Sequence, residues 1–198
     1  MLELVVAVTV GFALTLMAMD WFTRGGKLAQ LLSTRCALQQ EALVVCNQIC
    51  ADLARTSKSG LSLRDSATAT DPLVLAIHRL FDAPYPGGVF RESQLQVYHW
   101  RPAEATLWRK TYPPANPDLG ISVVSNAWCV CSPGQLLALA SQPNGSARKL
   151  CSRLSWLLVS LDPGGVVTVQ VRLLDPPLDP KARARCETSR SLYLRNHP

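Results

Sequence analysis

Glu3-Leu4-Val5-Val6-Ala7-Val8-Thr9-Val10-Gly11-Phe12-Ala13-Leu14-Thr15-Leu16-Met17-Ala18-Met19 decides how the rest of the chain is read. A single carboxylate heads an otherwise apolar run. A charge near the middle of a bilayer costs roughly 2.5–3.5 kcal/mol on insertion scales, so an acid leading such a run points to function. A secretory signal peptide places Lys or Arg before its apolar core. Here the first cation is Arg24, on the far side of the run. The plainer alternative is a signal anchor whose Glu3 rests among lipid headgroups.

Working outward, the run reaches a membrane-spanning length of ~20 residues once Trp21 and Phe22 are included past Asp20. Trp suits the membrane–water boundary. Beyond Gly25-Gly26, Leu28, Leu31, Leu32, Leu38, Ala42, Val45, Cys46, Ile49, Cys50 and Leu53 recur at three- and four-residue steps, which is one face of a helix. Gln39, Gln40, Glu41, Asn47, Gln48, Asp52 and Arg55 fill much of the other face. No Pro precedes Pro72. The pattern therefore predicts a nearly continuous helix from Leu2 to about Ser57, ~80 Å long at 1.5 Å per residue. Gly25-Gly26 is its expected flexible point, since each Gly weakens a helix interior by ~1 kcal/mol.

The start Met1-Leu2-Glu3-Leu4-Val5-Val6-Ala7-Val8-Thr9-Val10-Gly11 resembles the N-terminus of a processed type IV pilin-like protein. In that family an acid follows the leader cleavage site by a few residues and heads an apolar helix. The usual leader, with basic residues and a Gly before the cut, is absent here. The expectation is that it has been trimmed together with the first mature residues, or that the start was assigned too far downstream. The ending Ser191-Leu192-Tyr193-Leu194-Arg195-Asn196 is similar to the closing strand of PilW-type minor pilins. The stalk start also lacks the Pro of many major pilins. Both features suggest a PilW-type minor pilin or J-type pseudopilin.

Composition places the remainder among globular domains. Of 198 residues, 48% are hydrophobic and 17% charged, which leaves enough chain after the membrane segment for one domain with a core. The expected division is 1–24 as the membrane half of the helix and 25–198 as the head. The net charge of +6 has no basic run behind it beyond scattered Lys181, Arg183 and Arg185, so only weak, non-specific DNA binding is expected.

Pro and Gly concentrate after Gly60 and predict a turn-rich β region. Ser57 to Thr70 reads as a loop. Asp71-Pro72 reads as a helix start, with Leu73, Leu75, Ile77 and Leu80 in a short helix or turn. Tyr85-Pro86-Gly87-Gly88 is a break. Leu95 to Trp100 and Ala105 to Tyr112 make a hairpin. Tyr112 to Pro117 is a rigid loop, Ile121 to Val130 a candidate strand, and Gln135 to Ser141 is ambiguous. Trp156 to Leu161 and Val166 to Leu173 form the clearest hairpin, across Asp162-Pro163-Gly164-Gly165. Pro176 to Pro180 is a second rigid loop, and Ser189 to Asn196 a terminal strand. One long helix followed by an antiparallel meander is an α+β fold, with the helix laid on the sheet.

The candidate disulfide cysteines are Cys46, Cys50, Cys129, Cys131, Cys151 and Cys186, with Cys36 making seven. Cys46 and Cys50 share a helix face with Cβ atoms ~5–6 Å apart, beyond the ~3.5–4.5 Å of a disulfide. Cys129 and Cys131, on one face of a strand, are also too far apart for an easy bridge. Helix-to-strand pairs and Cys151 with Cys186 are the better expectations. A zinc site from Cys46, Cys50, Cys129 and Cys131 lacks the usual spacings. No catalytic, cofactor or metal site is expected. His78, His99 and His197 have no companion nucleophile, and His99 reads as a surface residue. Asn144-Gly145-Ser146 fits a glycosylation acceptor but reads better as a turn.

The resemblance implies a non-enzymatic, membrane-anchored subunit that starts or caps a type IV pilus-like filament, with Glu3 as its assembly residue. It further implies cleavage and N-methylation by a prepilin peptidase, a bacterial inner-membrane location with the head outside the cytoplasm, and other minor and major pilins or pseudopilins as partners. A type II secretion pseudopilin and a DNA-binding component of natural transformation stand as alternatives.

Overall fold

A computed structural model of the chain describes residues 2–65, 72–80, 91–112, 115–116, 121–122, 129–143, 146–175 and 185–194. Helix α1 runs over Leu2–Leu53, as the apolar run and the three-and-four periodicity predict. Gly25 and Gly26 lie within it as helical residues. The chain divides into two units, Met1–Ala37 and Leu38–Pro198.

In the first unit the side chains of α1 are almost all exposed, including Leu28 and Leu32. The buried stripe expected from Leu28 onward begins at Leu38. It continues through Ala42, Val45, Cys46, Ile49 and Leu53, the i, i+4, i+7 spacing of a packed helix face. Each of Leu38, Ile49 and Leu53 is fully buried, worth roughly 1.5–3 kcal/mol apiece.

The second unit holds two antiparallel sheets and a small ribbon, where a single meander was expected. Strands β1 (Leu61–Arg64), β2 (Leu73–Leu80), β3 (Arg91–Arg101), β4 (Thr106–Tyr112) and, further along, β7 (Arg148–Cys151) form a five-stranded sheet in the order β1-β2-β3-β4-β7. Strands β8 (Leu154–Leu161), β9 (Val166–Leu174) and β10 (Arg185–Tyr193) form a three-stranded sheet with β9 central. Ala115–Asn116 (β5) and Ile121–Ser122 (β6) pair as a ribbon. Helix α2 spans Pro133–Ser141.

The Leu95–Tyr112 hairpin is present in register, Leu95 opposite Tyr112 and Arg101 opposite Thr106. The β8–β9 hairpin is present too. Gly165 closes its turn in the left-handed region at φ 82° and donates its N–H to the Asp162 carbonyl at 2.9 Å, a conformation that favours glycine. The terminal strand begins earlier than expected, at Arg185, and pairs with β9 along its whole length.

Leu73–Leu80 is the main correction. It is a strand, not a short helix, and all but one of its residues are buried. The reason is that the five-stranded sheet is covered on both faces. Leu73, Leu75 and Ile77 join the last turns of α1 and the three-stranded sheet in one core. Val74 and Ala76 join Leu95, Val97, Leu136 and Leu139 of α2 in a second. A strand buried on both faces loses the alternation that would identify it. Similarly, the expected loop Ser57–Thr70 contains β1, which pairs with β2. The ambiguous stretch at Gln135 is α2, fixed by a capping box between Ser132 and Gln135 behind Pro133. Strand β7 was not foreseen. Of the candidate strand Ile121–Val130 only Ile121–Ser122 is strand; 123–128 lie outside the described residues, as do Tyr85–Gly88, Pro176–Pro180, Asn144-Gly145 and His197.

Candidate functional site

Glu3 stands in the first turn of α1. It has no hydrogen-bond or ion-pair partner among the described residues. Around it the large apolar side chains face outward, with Leu4 70% and Phe12 65% exposed. The remaining polar groups of the run are satisfied by the helix itself. Thr9 Oγ1 donates to the Val5 carbonyl at 2.6 Å, Thr15 Oγ1 to Gly11 at 2.8 Å and Thr23 Oγ1 to Asp20 at 2.9 Å. Asp20 pairs with Arg24 at 2.8 Å, one turn on, beside the edge-to-face Trp21 and Phe22. This is the one described helix long and apolar enough to cross a membrane. Within it, Glu3 is the acid left without a counter-charge.

At its other end α1 carries a residue that sequence periodicity misplaced. Asp52 was assigned to the solvated face, yet it is 3% exposed. Its Oδ2 accepts from Tyr98 Oη at 2.5 Å and from Arg109 Nε and Nη2 at 3.2 and 3.1 Å. Its Oδ1 accepts from Arg79 Nη1 at 3.4 Å. Arg79 also reaches Glu92 at 2.8 Å, and Glu92 reaches Arg55 at 3.3 Å. An acid in the last turn opposes the helix dipole; two guanidiniums from β2 and β4 offset it. Burial, then the Asp52 charge, push the Tyr98 phenol well above its ordinary range, so it donates throughout the working pH range. The cluster is a clasp that fixes the end of α1 to the five-stranded sheet. The signal that could have found it is an acid in the last turn of a helix, where it opposes the dipole, with Arg residues in the strands that follow.

His99 also corrects its expectation: it is buried, not on the surface. Burial, followed by the Arg101 and Lys110 charges, lowers it to about 4, so the ring is neutral at pH 7. His78 is buried as well. Its Nδ1 accepts the Cys129 backbone N–H at 3.1 Å, which leaves Nε2–H to donate to the Glu92 carbonyl at 2.7 Å. Lys110 is a third internal polar residue. Its Nζ donates to the carbonyls of Leu139, Ala140 and Gln142 at 3.3, 2.5 and 2.9 Å, closing the C-terminus of α2. Tyr112 Oη adds a bond to Leu139.

All seven cysteines are free thiols, so neither Cys151–Cys186 nor a helix-to-strand bridge is formed in this structure. Burial pushes Cys151 up to about 11. Cys46 and Cys50 line the α1 side of the five-stranded sheet, while Cys129 and Cys131 lie in the core on its other side. They cannot share one zinc ion, and no set of three or more metal-ligating residues forms among the described residues. Cys129 and Cys131 are not on a strand as expected. They sit in an irregular segment before α2, with their sulfurs 4.0 Å apart.

Several of the aromatic and basic side chains are engaged within the fold. Trp100 Nε1 donates to the Leu154 carbonyl, Trp156 lies under the Arg172 guanidinium at 5.0 Å, and Arg172 and Arg185 both pair with Glu187. No family model, curated protein or solved structure matches the chain.

Proposed function

We propose that this chain is a minor pilin or pseudopilin, a membrane-anchored structural subunit that helps start or cap a type IV pilus-like filament. The observation that carries the proposal is the composition of α1. Its residues up to Ala37 bury almost nothing, carry Glu3 unpaired at their head, and lead into a packed face from Leu38 to Leu53. An exposed apolar helix of this length needs a lipid or protein environment. An unpaired carboxylate in that environment needs a cation. In a bundle of such helices the terminal amine of a neighbouring subunit supplies one. The partners would then be other pilins or pseudopilins and a prepilin peptidase, at a bacterial inner membrane with the head outside the cytoplasm.

Glu3→Ala tests this. Membrane insertion should be unchanged or slightly improved, while recovery in sheared fibres should fall at least about tenfold, since losing a charge pair that offsets ~2.5–3.5 kcal/mol exceeds the 1.4 kcal/mol of one decade. Undiminished fibre recovery would reject the role given to Glu3. Release of the protein from the membrane fraction would reject the anchor.

A further inference from the structure

Cys129, Val130 and Cys131 make a short arch whose middle residue faces outward while both flanking sulfurs turn in. Val130 is 66% exposed and each cysteine only 6%. Both ends of the arch are held. The Cys129 N–H donates to His78 Nδ1 at 3.1 Å, and the Cys131 N–H to Ser62 Oγ at 3.0 Å. The next residue, Ser132, is the cap of α2. The sulfurs, 4.0 Å apart, are already in van der Waals contact. Closing them to the ~2.05 Å of a disulfide needs ~2 Å of travel, within reach of rotation about the two Cα–Cβ bonds. Cys46 and Cys50 also share a thiol hydrogen bond, but they stand one turn apart on a packed helix, whose fixed backbone spaces their Cβ atoms beyond disulfide reach.

We propose that Cys129 and Cys131 form a reversible dithiol–disulfide couple that exchanges with external low-molecular-weight disulfides. In the first step the Cys129 thiolate attacks one sulfur of the incoming disulfide and expels the other as a thiolate, which takes up a proton. In the second, the Cys131 thiolate attacks the Cys129 sulfur of the mixed disulfide, forms the Cys129–Cys131 bond and expels the second thiolate. The pair loses two electrons and two protons, and the incoming disulfide becomes two thiols. The order follows from the contact between the thiols. The two thiols share one hydrogen bond, which either sulfur can donate, so one thiol is held below the ordinary range and the other above it; Cys129 is the one lowered and Cys131 the one raised.

The size of the ring indicates exchange rather than stapling. A bridge that spans one intervening residue removes little chain entropy from the unfolded state, so it adds little to stability. Strained bridges are also the readily reduced ones. The couple involves neither Glu3 nor the apolar segment, so its success or failure is separate from that of the filament reading.

The test uses the full chain, reduced, in detergent micelles, equilibrated over a series of oxidised-to-reduced glutathione ratios. Remaining thiols are trapped by alkylation and peptides are weighed. The peptide carrying Cys129 and Cys131 should become two hydrogen masses lighter and resist alkylation, in proportion to oxidised glutathione over the square of reduced glutathione. In Cys131→Ser the reaction should stop at a stable glutathione adduct on Cys129. Alkyl label on both cysteines at every ratio would overturn the proposal. So would a bond from either one to a different cysteine, or a separate glutathione on each.

Discussion

Replacing Asp52 by Asn keeps the shape of the clasp and removes its charge. Asp52 accepts four hydrogen bonds, three of them from guanidiniums, and is almost wholly buried. Arg79 and Arg109 retain side-chain exposures of 15% and 24%, so water can rehydrate part of their charge when the carboxylate is lost. Breaking a fully buried pair costs ~3–5 kcal/mol, and a typical hydrogen bond to a charged group ~1.5–3 kcal/mol. Partial rehydration puts Asp52→Asn at about 2–4 kcal/mol. Urea unfolding of the full chain in detergent, followed by fluorescence of the buried Trp100, reads this as a lower midpoint at unchanged slope. Tyr98→Phe removes one bond to the same carboxylate and should cost about 1.5–2 kcal/mol. In the double variant the costs should fall short of additivity by ~1 kcal/mol or more, because both act on one carboxylate. A loss below ~1 kcal/mol for Asp52→Asn, or strict additivity, would refute the clasp.

Lys110→Met should destabilise the head by about 2–3 kcal/mol, because carbonyls at the end of α2 are left without their donor; chemical denaturation checks it, and a change below ~0.5 kcal/mol would show that water replaces the ammonium there. His99 supplies a pH dependence. Its folded value of about 4 lies below the ordinary 6.5, so the unfolded chain takes up the proton first and stability falls as pH drops from 6.5 toward 4. The loss should be on the order of 1–3 kcal/mol by pH 4, and a His99→Gln variant should lack that part of the slope in the same melts.

What the sequence made legible were features with a local signature. The α1 periodicity, the Asp-Pro-Gly-Gly turn before β9 and the Leu95–Tyr112 pairing all lie within short windows. What stayed hidden depends on residues far apart in the chain. Val74 and Ala76 are buried only because α2, some sixty residues later, covers that face of the sheet. Asp52 looked solvated because helical periodicity counts any acid as outward, and its partners Tyr98 and Arg109 come from two later strands, β3 and β4. The same applies to His99, whose alternation with Tyr98 and Trp100 suggested one dry and one wet face where both are covered. The Cys129–Cys131 contact was missed because the segment was read as extended strand, which would have held the thiols apart.

The wide spacing of the core also sets a timetable for synthesis. The stripe from Leu38 to Leu53 meets partners as distant as Leu173 and Leu194, and Leu194 is tied to the Gly165 carbonyl at 3.0 Å. About 145 residues separate Ile49 from Leu194, which at ~5–20 residues per second takes on the order of 10 s to translate. Throughout that interval the apolar start of α1 has left the ribosome while its own C-terminal turns can meet only part of their core. The greasy segment must therefore be handed over, to a lipid surface or a holding chaperone, before the head can close.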